Sequence, residues 1–137
     1  MKKLLGIAAI IIILTPTLAL AKHQHKERWY QERWCAKHFG ITEYVLPDKT
    51  RVDCLTRAHA IEFDYGYKWA ESLGQAMHYG RMTQRKPGVV LILEKPNDHL
   101  KVFILEQAAK YWGVPLTVWT IMPKGKTGWI EGGGPIE

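Results

Sequence analysis

An α/β fold with a mixed β-sheet flanked by helices is predicted from three observations. Short β-branched and aromatic runs with turn residues between them fill residues 42–64, and helical periodicity occupies 68–82 and 98–112. The later segments alternate strand, helix, strand, helix, strand, an order that makes the later strands parallel through crossover helices.

Residues 26–38 read as a first helix, polar apart from Trp29, Tyr30 and Trp34, with Gly40 at a place suited to a stop. Tyr30 and Trp34, four apart, share a face beside Cys35. A strand meander follows at 42–46, 51–56 and 59–64, with Pro47-Asp48-Lys49-Thr50 as its first turn. In the third strand Ala60, Glu62 and Asp64 point one way, and Ile61 and Phe63 the other. In the second, Val52 and Cys54 oppose Arg51, Asp53 and Leu55. With Val52, Cys54, Ile61 and Phe63 on the core, Asp53, Glu62 and Asp64 share the opposite side.

After Tyr65-Gly66-Tyr67, the helix 68–82 carries one apolar stripe of Trp69, Leu73, Ala76, Met77 and Gly80. A second stripe holds Lys68, Glu71, Gln75 and Tyr79. Residues 88–93 form a buried strand, 98–112 a helix capped by Asp98, and 115–122 a last strand after the Gly113-Val114 break. The glycine-rich residues 126–137 are expected as a flexible tail.

The 137-residue chain begins with Lys2-Lys3, an apolar run over 4–20 and Ala19-Leu20-Ala21, which reads as a signal peptide, residues 1–21, cleaved after Ala21. An uncleaved anchor is the competing reading of the same run. Either way the domain, 22–125, is expected outside the cytoplasm, in the periplasm or secreted. The formal charge of +6 falls by two with the loss of Lys2 and Lys3, a mild excess that suits a polyanion without demanding one. In an oxidising compartment Cys35 and Cys54 are most simply one structural disulfide, in preference to two free buried thiols. Closing a loop of about 20 residues stabilises the fold by roughly 3 kcal/mol in the loop-entropy account.

Phosphodiester hydrolysis uses a metal to polarise the phosphoryl oxygen and acidify the attacking water, and Mg²⁺ prefers a few carboxylates with several waters retained. Asp53 and Glu62 on neighbouring strands supply such a pair, and a nearby lysine orients the water or offsets developing charge. The six histidines show no tight zinc spacing, and no serine or threonine sits in a nucleophile motif. The tryptophans are expected in the core, except Trp129 and Trp29.

This pattern resembles the PD-(D/E)XK nuclease superfamily, whose restriction-endonuclease-like core places an Asp on one strand, Glu-x-Lys on the next, then a helix that often carries Gln. Asp53, Glu62 and Gln75 match in that order, with Tyr79 one turn beyond; the whole run is also similar to a small group of exported bacterial proteins within that superfamily. The resemblance covers residues 32–93 and extends more weakly through Trp119. Its lysine position is occupied by Asp64, and Lys68, four residues on, is the candidate for a lysine moved to the following helix. Glu43, and with less support Glu32, are candidates for the early acid of some members, while Glu71 lies at ion-pair spacing from Lys68.

The resemblance implies a Mg²⁺- or Mn²⁺-dependent nuclease acting on nucleic acid, DNA first. Asp53, Glu62 and Asp64 would be metal ligands, Lys68 would assist the water, and Gln75 would position it or a phosphate. Lys49, Arg81, Arg85 and Lys86 are candidate backbone contacts. The alternative is a catalytically inactive nuclease-fold protein with a periplasmic binding or assembly role. A plain disulfide-stapled domain would instead leave Asp53 and Glu62 far apart.

Overall fold

A computed structural model describes residues 22–135; the predicted signal peptide lies outside the described residues. The elements run α1 (Glu27–Lys37), β1 (Ile41–Val45), β2 (Arg51–Leu55), β3 (His59–Tyr65), a 3-10 turn (Gly66–Lys68), α2 (Trp69–Thr83), β4 (Lys86–Ile92), α3 (Asp98–Tyr111), β5 (Thr117–Lys124) and β6 (Gly128–Gly133). They build one six-stranded sheet in the order β1-β2-β3-β4-β5-β6. The first three strands are antiparallel, β3, β4 and β5 are parallel, and β6 returns antiparallel to β5. The parallel strands are the ones joined by helices, as a crossover requires.

Side-chain alternation along β3, β4 and β5 sorts the core into two layers. On one face Ile61, Phe63, Tyr65, Val90, Ile92, Trp119 and Ile121 pack under Tyr30, Trp34 and Cys35 of α1. On the other, Val89, Leu91, Leu93 and Val118 meet Ala76 of α2 and Leu105 of α3. With a helix layer on each side, β3 is buried from Ala60 to Tyr65 and carries Glu62 and Asp64 into the interior.

Cys35 and Cys54 are bonded, with Cα atoms 5.7 Å apart, which fastens α1 to β2. Gly40 leaves the helix so close to this bridge that a Cβ there would sit 2.5 and 2.6 Å from the two sulfurs. Among the described residues no helix is long and apolar enough to cross a membrane.

Several expectations are corrected. Residues 128–133 are not part of a loose tail: their backbone pairs with β5 from Trp119 to Lys124, and half-buried Trp129 packs against Trp29 and Tyr30. Asp98 does not cap α3 from outside; it is the first helical residue, after Asn97, and its Oδ2 accepts from Glu94 and Lys95 N–H. Met77 and Trp112 are exposed, Met77 because it lies at the rim of the α2 stripe and Trp112 because it follows the last turn of α3. Val52 does not share a face with Cys54; it packs with Leu46, Leu55, Ala60 and Tyr79. The break falls at Asp53.

Candidate functional site

The break at Asp53 has a local cause. The β2–β3 ladder holds only two partner pairs, Cys54 with Ile61 and Leu55 with Ala60, and then the strands part. On the other side, the β1–β2 pairing skips the level of Asp53, where Glu43 adopts φ 54°. A left-handed backbone is uncommon for a non-glycine residue. The Asp53 side chain fills the fork: its Oδ2 accepts from Phe63 N–H at 2.8 Å, replacing a ladder bond. Its carbonyl, left free by the interrupted pairing, accepts from Gln31 Nε2 at 2.8 Å.

Glu62 lies beside Asp53 in this fork, 6% exposed, and its Oε2 has no hydrogen-bond partner. Burial and then the charge of Asp53 push the Glu62 carboxyl far above the ordinary range. Asp53 is raised too, chiefly by burial and against the Phe63 hydrogen bond. Asp64, 2% exposed, follows on the same face of β3 and accepts from Tyr65 N–H. Burial raises its carboxyl, and the charge of Lys68 offsets only part of that rise.

Lys68, at the end of the 3-10 turn, places Nζ 3.4 Å from Asp64 Oδ1. The i,i+4 spacing through the turn lets the stem fold back, so the ammonium joins the acids. Burial works against its charge, but Asp64, Glu71 and Glu27 more than offset it and raise its pKa. On α2, Gln75 donates to Glu71 at 3.4 Å and accepts from the Tyr79 hydroxyl at 3.1 Å. Tyr79, 6% exposed, has its phenol raised by burial and by the charges of Glu62 and Asp53, so it stands in their field. Gln75 therefore reaches the acids through Tyr79, and Glu71 borders them on the exposed side.

Neither candidate for the early acid fills that role. Glu32 is exposed and pairs with Arg28 at 2.6 Å, one helical turn back. Glu43 is held by Gln31 Nε2 at 2.9 Å and by Arg51 at 3.1 Å. The acid that α1 delivers is Glu27, whose carboxyl is raised to about 8 by burial, by the charges of Asp64 and Asp53, and by a hydrogen bond with Asp64. In sequence it stood only as an acidic residue in the first turn of a polar helix; the direction of α1 across the sheet was the missing information.

The result is four carboxyls, Glu27, Asp53, Glu62 and Asp64, around one lysine at the end of β3. They touch in two pairs, Asp53 with Glu62 and Glu27 with Asp64. Among the described residues no three His, Cys, Asp or Glu side chains converge in a ligand set as placed. The donor chemistry nonetheless suits a hard cation, since every candidate ligand is a carboxylate oxygen and Glu62 Oε2 is both buried and unpartnered. Lys49, Arg81 and Lys86 are exposed, and Arg85 is engaged with the Thr56 carbonyl. No family model, curated protein or solved structure matches the chain.

Proposed function

We propose that the protein is an exported, divalent-metal-dependent nuclease that hydrolyses nucleic-acid phosphodiesters, on a restriction-endonuclease-like core of the PD-(D/E)XK type. The observation that carries this reading is Glu62, a buried acid pressed against a second acid with one oxygen left without a partner. An arrangement that raises carboxyl pKa values at a cost to the fold is the kind that function retains. Supporting it, the Asp sits on β2, the Glu on the adjacent β3 and the Gln on the helix that follows, as the resemblance implies. The disulfide fits an oxidising compartment such as the periplasm or the outside of the cell.

Asp53, Glu62 and Asp64 would hold Mg²⁺ or Mn²⁺, which would supply Lewis-acid polarisation and a more acidic water. Lys68, poised at Asp64, would orient that water or offset charge on the phosphoryl oxygens. Gln75 and Tyr79 would steady the far side of the acid pair.

The noncatalytic reading has one observation in its favour: Asp64 occupies the motif lysine's position and is itself engaged with the only lysine that replaces it. The test is to incubate the protein with single-stranded, duplex and branched DNA and with RNA, under Mg²⁺, Mn²⁺ or chelator. Cleavage that needs the ion and falls by about 10²–10³-fold in Asp53→Asn, Glu62→Gln and Lys68→Ala is the expected outcome. Cleavage unchanged in Asp53→Asn and Lys68→Ala overturns the mechanism. Absence of both cleavage and calorimetric ion binding in the wild type selects the binding or assembly role.

A further inference from the structure

At the opposite end of α1 lies a cavity of about 550 Å³, bordered by Trp34, His38, His59, Trp119, Glu131 and Gly132 among others. Its size falls within the range of roughly 300–1,000 Å³ typical of small-molecule sites. The 11 residues of α1, at a 1.5 Å rise, separate its two ends by about 16 Å, so the cavity is distinct from the acid cluster at Glu27.

Two features of this wall call for a ligand. Trp34 is 1% exposed, yet its Nε1–H has no acceptor among the described residues, and His38 Nε2 also makes no hydrogen bond. An indole N–H can only donate, so a buried one without a partner leaves an acceptor to be supplied from elsewhere. Beside them stands Glu131: its Oε1 accepts from Lys37 Nζ and Trp129 Nε1, both at 2.9 Å, leaving Oε2 free at 3.5 Å from His38 Nε2. Burial works against the Glu131 charge, but the bonds from Lys37 and Trp129 prevail and hold its carboxyl below the ordinary range.

The surrounding surface is aromatic. His38 stacks on Trp34 with ring centroids 3.7 Å apart, and Trp119 meets Trp34 and His59 edge-on at 5.4 and 5.0 Å. A complementary ligand is flat, offers a carbonyl oxygen to the N–H donors, and offers N–H groups beside it to the carboxylate. An anionic head is disfavoured by Glu131. Adenine and cytosine place a ring-nitrogen lone pair where the carboxylate needs a donor, and uracil and thymine offer one N–H there. Guanine presents its O6 acceptor next to two donors, N1–H and the 2-amino group, which a carboxylate takes together.

We propose that this cavity takes a guanine base, read by Glu131 and by the N–H groups of Trp34 and His38. It goes beyond the hydrolytic reading and does not require it. The base can come from a free nucleotide or from an unstacked position in a single strand, since both present the same edge.

The test titrates the full chain, in chelator to silence hydrolysis, with guanosine, inosine and adenosine monophosphates, followed by tryptophan fluorescence and calorimetry. Guanosine monophosphate is expected to bind, and inosine monophosphate, which lacks the 2-amino group, to bind about tenfold more weakly. Adenosine monophosphate should be weaker still. Trp34→Phe, which keeps the ring and removes the N–H, should weaken guanine binding about tenfold, and Glu131→Gln should abolish the preference for guanosine over inosine. Lys37→Ala, which breaks the Glu131 ion pair but leaves the carboxylate, should keep that preference and so separates recognition from folding.

Competition by a single-stranded oligonucleotide with one guanine, against one with none, identifies the source: displacement points to a strand, its absence to a free nucleotide. Equal binding of adenosine and guanosine monophosphates overturns the proposal, as does a guanine preference that survives Glu131→Gln, or no binding at about millimolar nucleotide. Asp53→Asn should bind guanine as the wild type does, so failure of the nuclease assay and failure of this one are read separately.

Discussion

Glu62, Asp53, Asp64 and Glu27 set the pH behaviour of the molecule. All four carboxyls are raised by burial, and three of them further by each other's charge. An acid whose folded pKa exceeds its unfolded value of about 4 favours the fold below that value and loses its contribution as pH climbs towards the folded one. Stability in chelator should therefore fall from about pH 4 through neutrality, read as a declining Tm. Mg²⁺ or Mn²⁺ should raise Tm more at alkaline than at acid pH, because it binds the ionised set. In chelator at high pH Asp53→Asn should raise Tm: it removes one charge while its side-chain oxygen can still accept from Phe63 N–H. A Tm that rises with pH in chelator would contradict this account. Asp53, Glu62 and Asp64 were legible because alternation along a strand tells which residues share a side. Glu27 was not, since a helix's sequence does not say which sheet edge its first turn will cross.

At the scale of elements, the junction between α1 and β2 repays most attention. Gly40 passes so near both sulfurs that an added methyl must displace the bridge or the helix exit. Gly40→Ala should cost about 1–3 kcal/mol in urea unfolding, the usual penalty for overpacking. Gly74, exposed in the middle of α2 with no atom within 4 Å of where a Cβ would stand, offers the contrast: Gly74→Ala should stabilise by about 0.5–1 kcal/mol. The meander and the helices were legible to within a few residues, because turn residues and periodicity mark them. The fork in β2 was not. Counting alternation from Arg51 presumes an unbroken ladder, and the left-handed Glu43 with the inserted Asp53 breaks it between Val52 and Cys54.

On the scale of the whole molecule, the sheet is closed on the β5 side by β6, which composition alone disguised. Gly128, Gly132 and Gly133 read as loop residues, but Gly132 sits where a Cβ would press on Thr120 Oγ1 at 2.7 Å, and Gly133 has φ 73°. Glycine here permits close pairing. Ending the chain after Gly125 should expose the β5 edge and strip Trp129 from Trp29 and Tyr30. The expected result is a fall in Tm together with loss of near-ultraviolet tryptophan dichroism; an unchanged melt would show that β6 is dispensable.

The bridge from Cys35 ends on the last β2 residue but one before the ladder with β3 runs out, so the divergent arms bearing Asp53 and Glu62 spring from a point riveted by oxidation. In the reducing interior of a cell that rivet is not set. A newly made copy would carry its acids on a loosened hinge until it had left, and the chromosome of its producer would be spared a weapon that is armed only on the far side of the membrane.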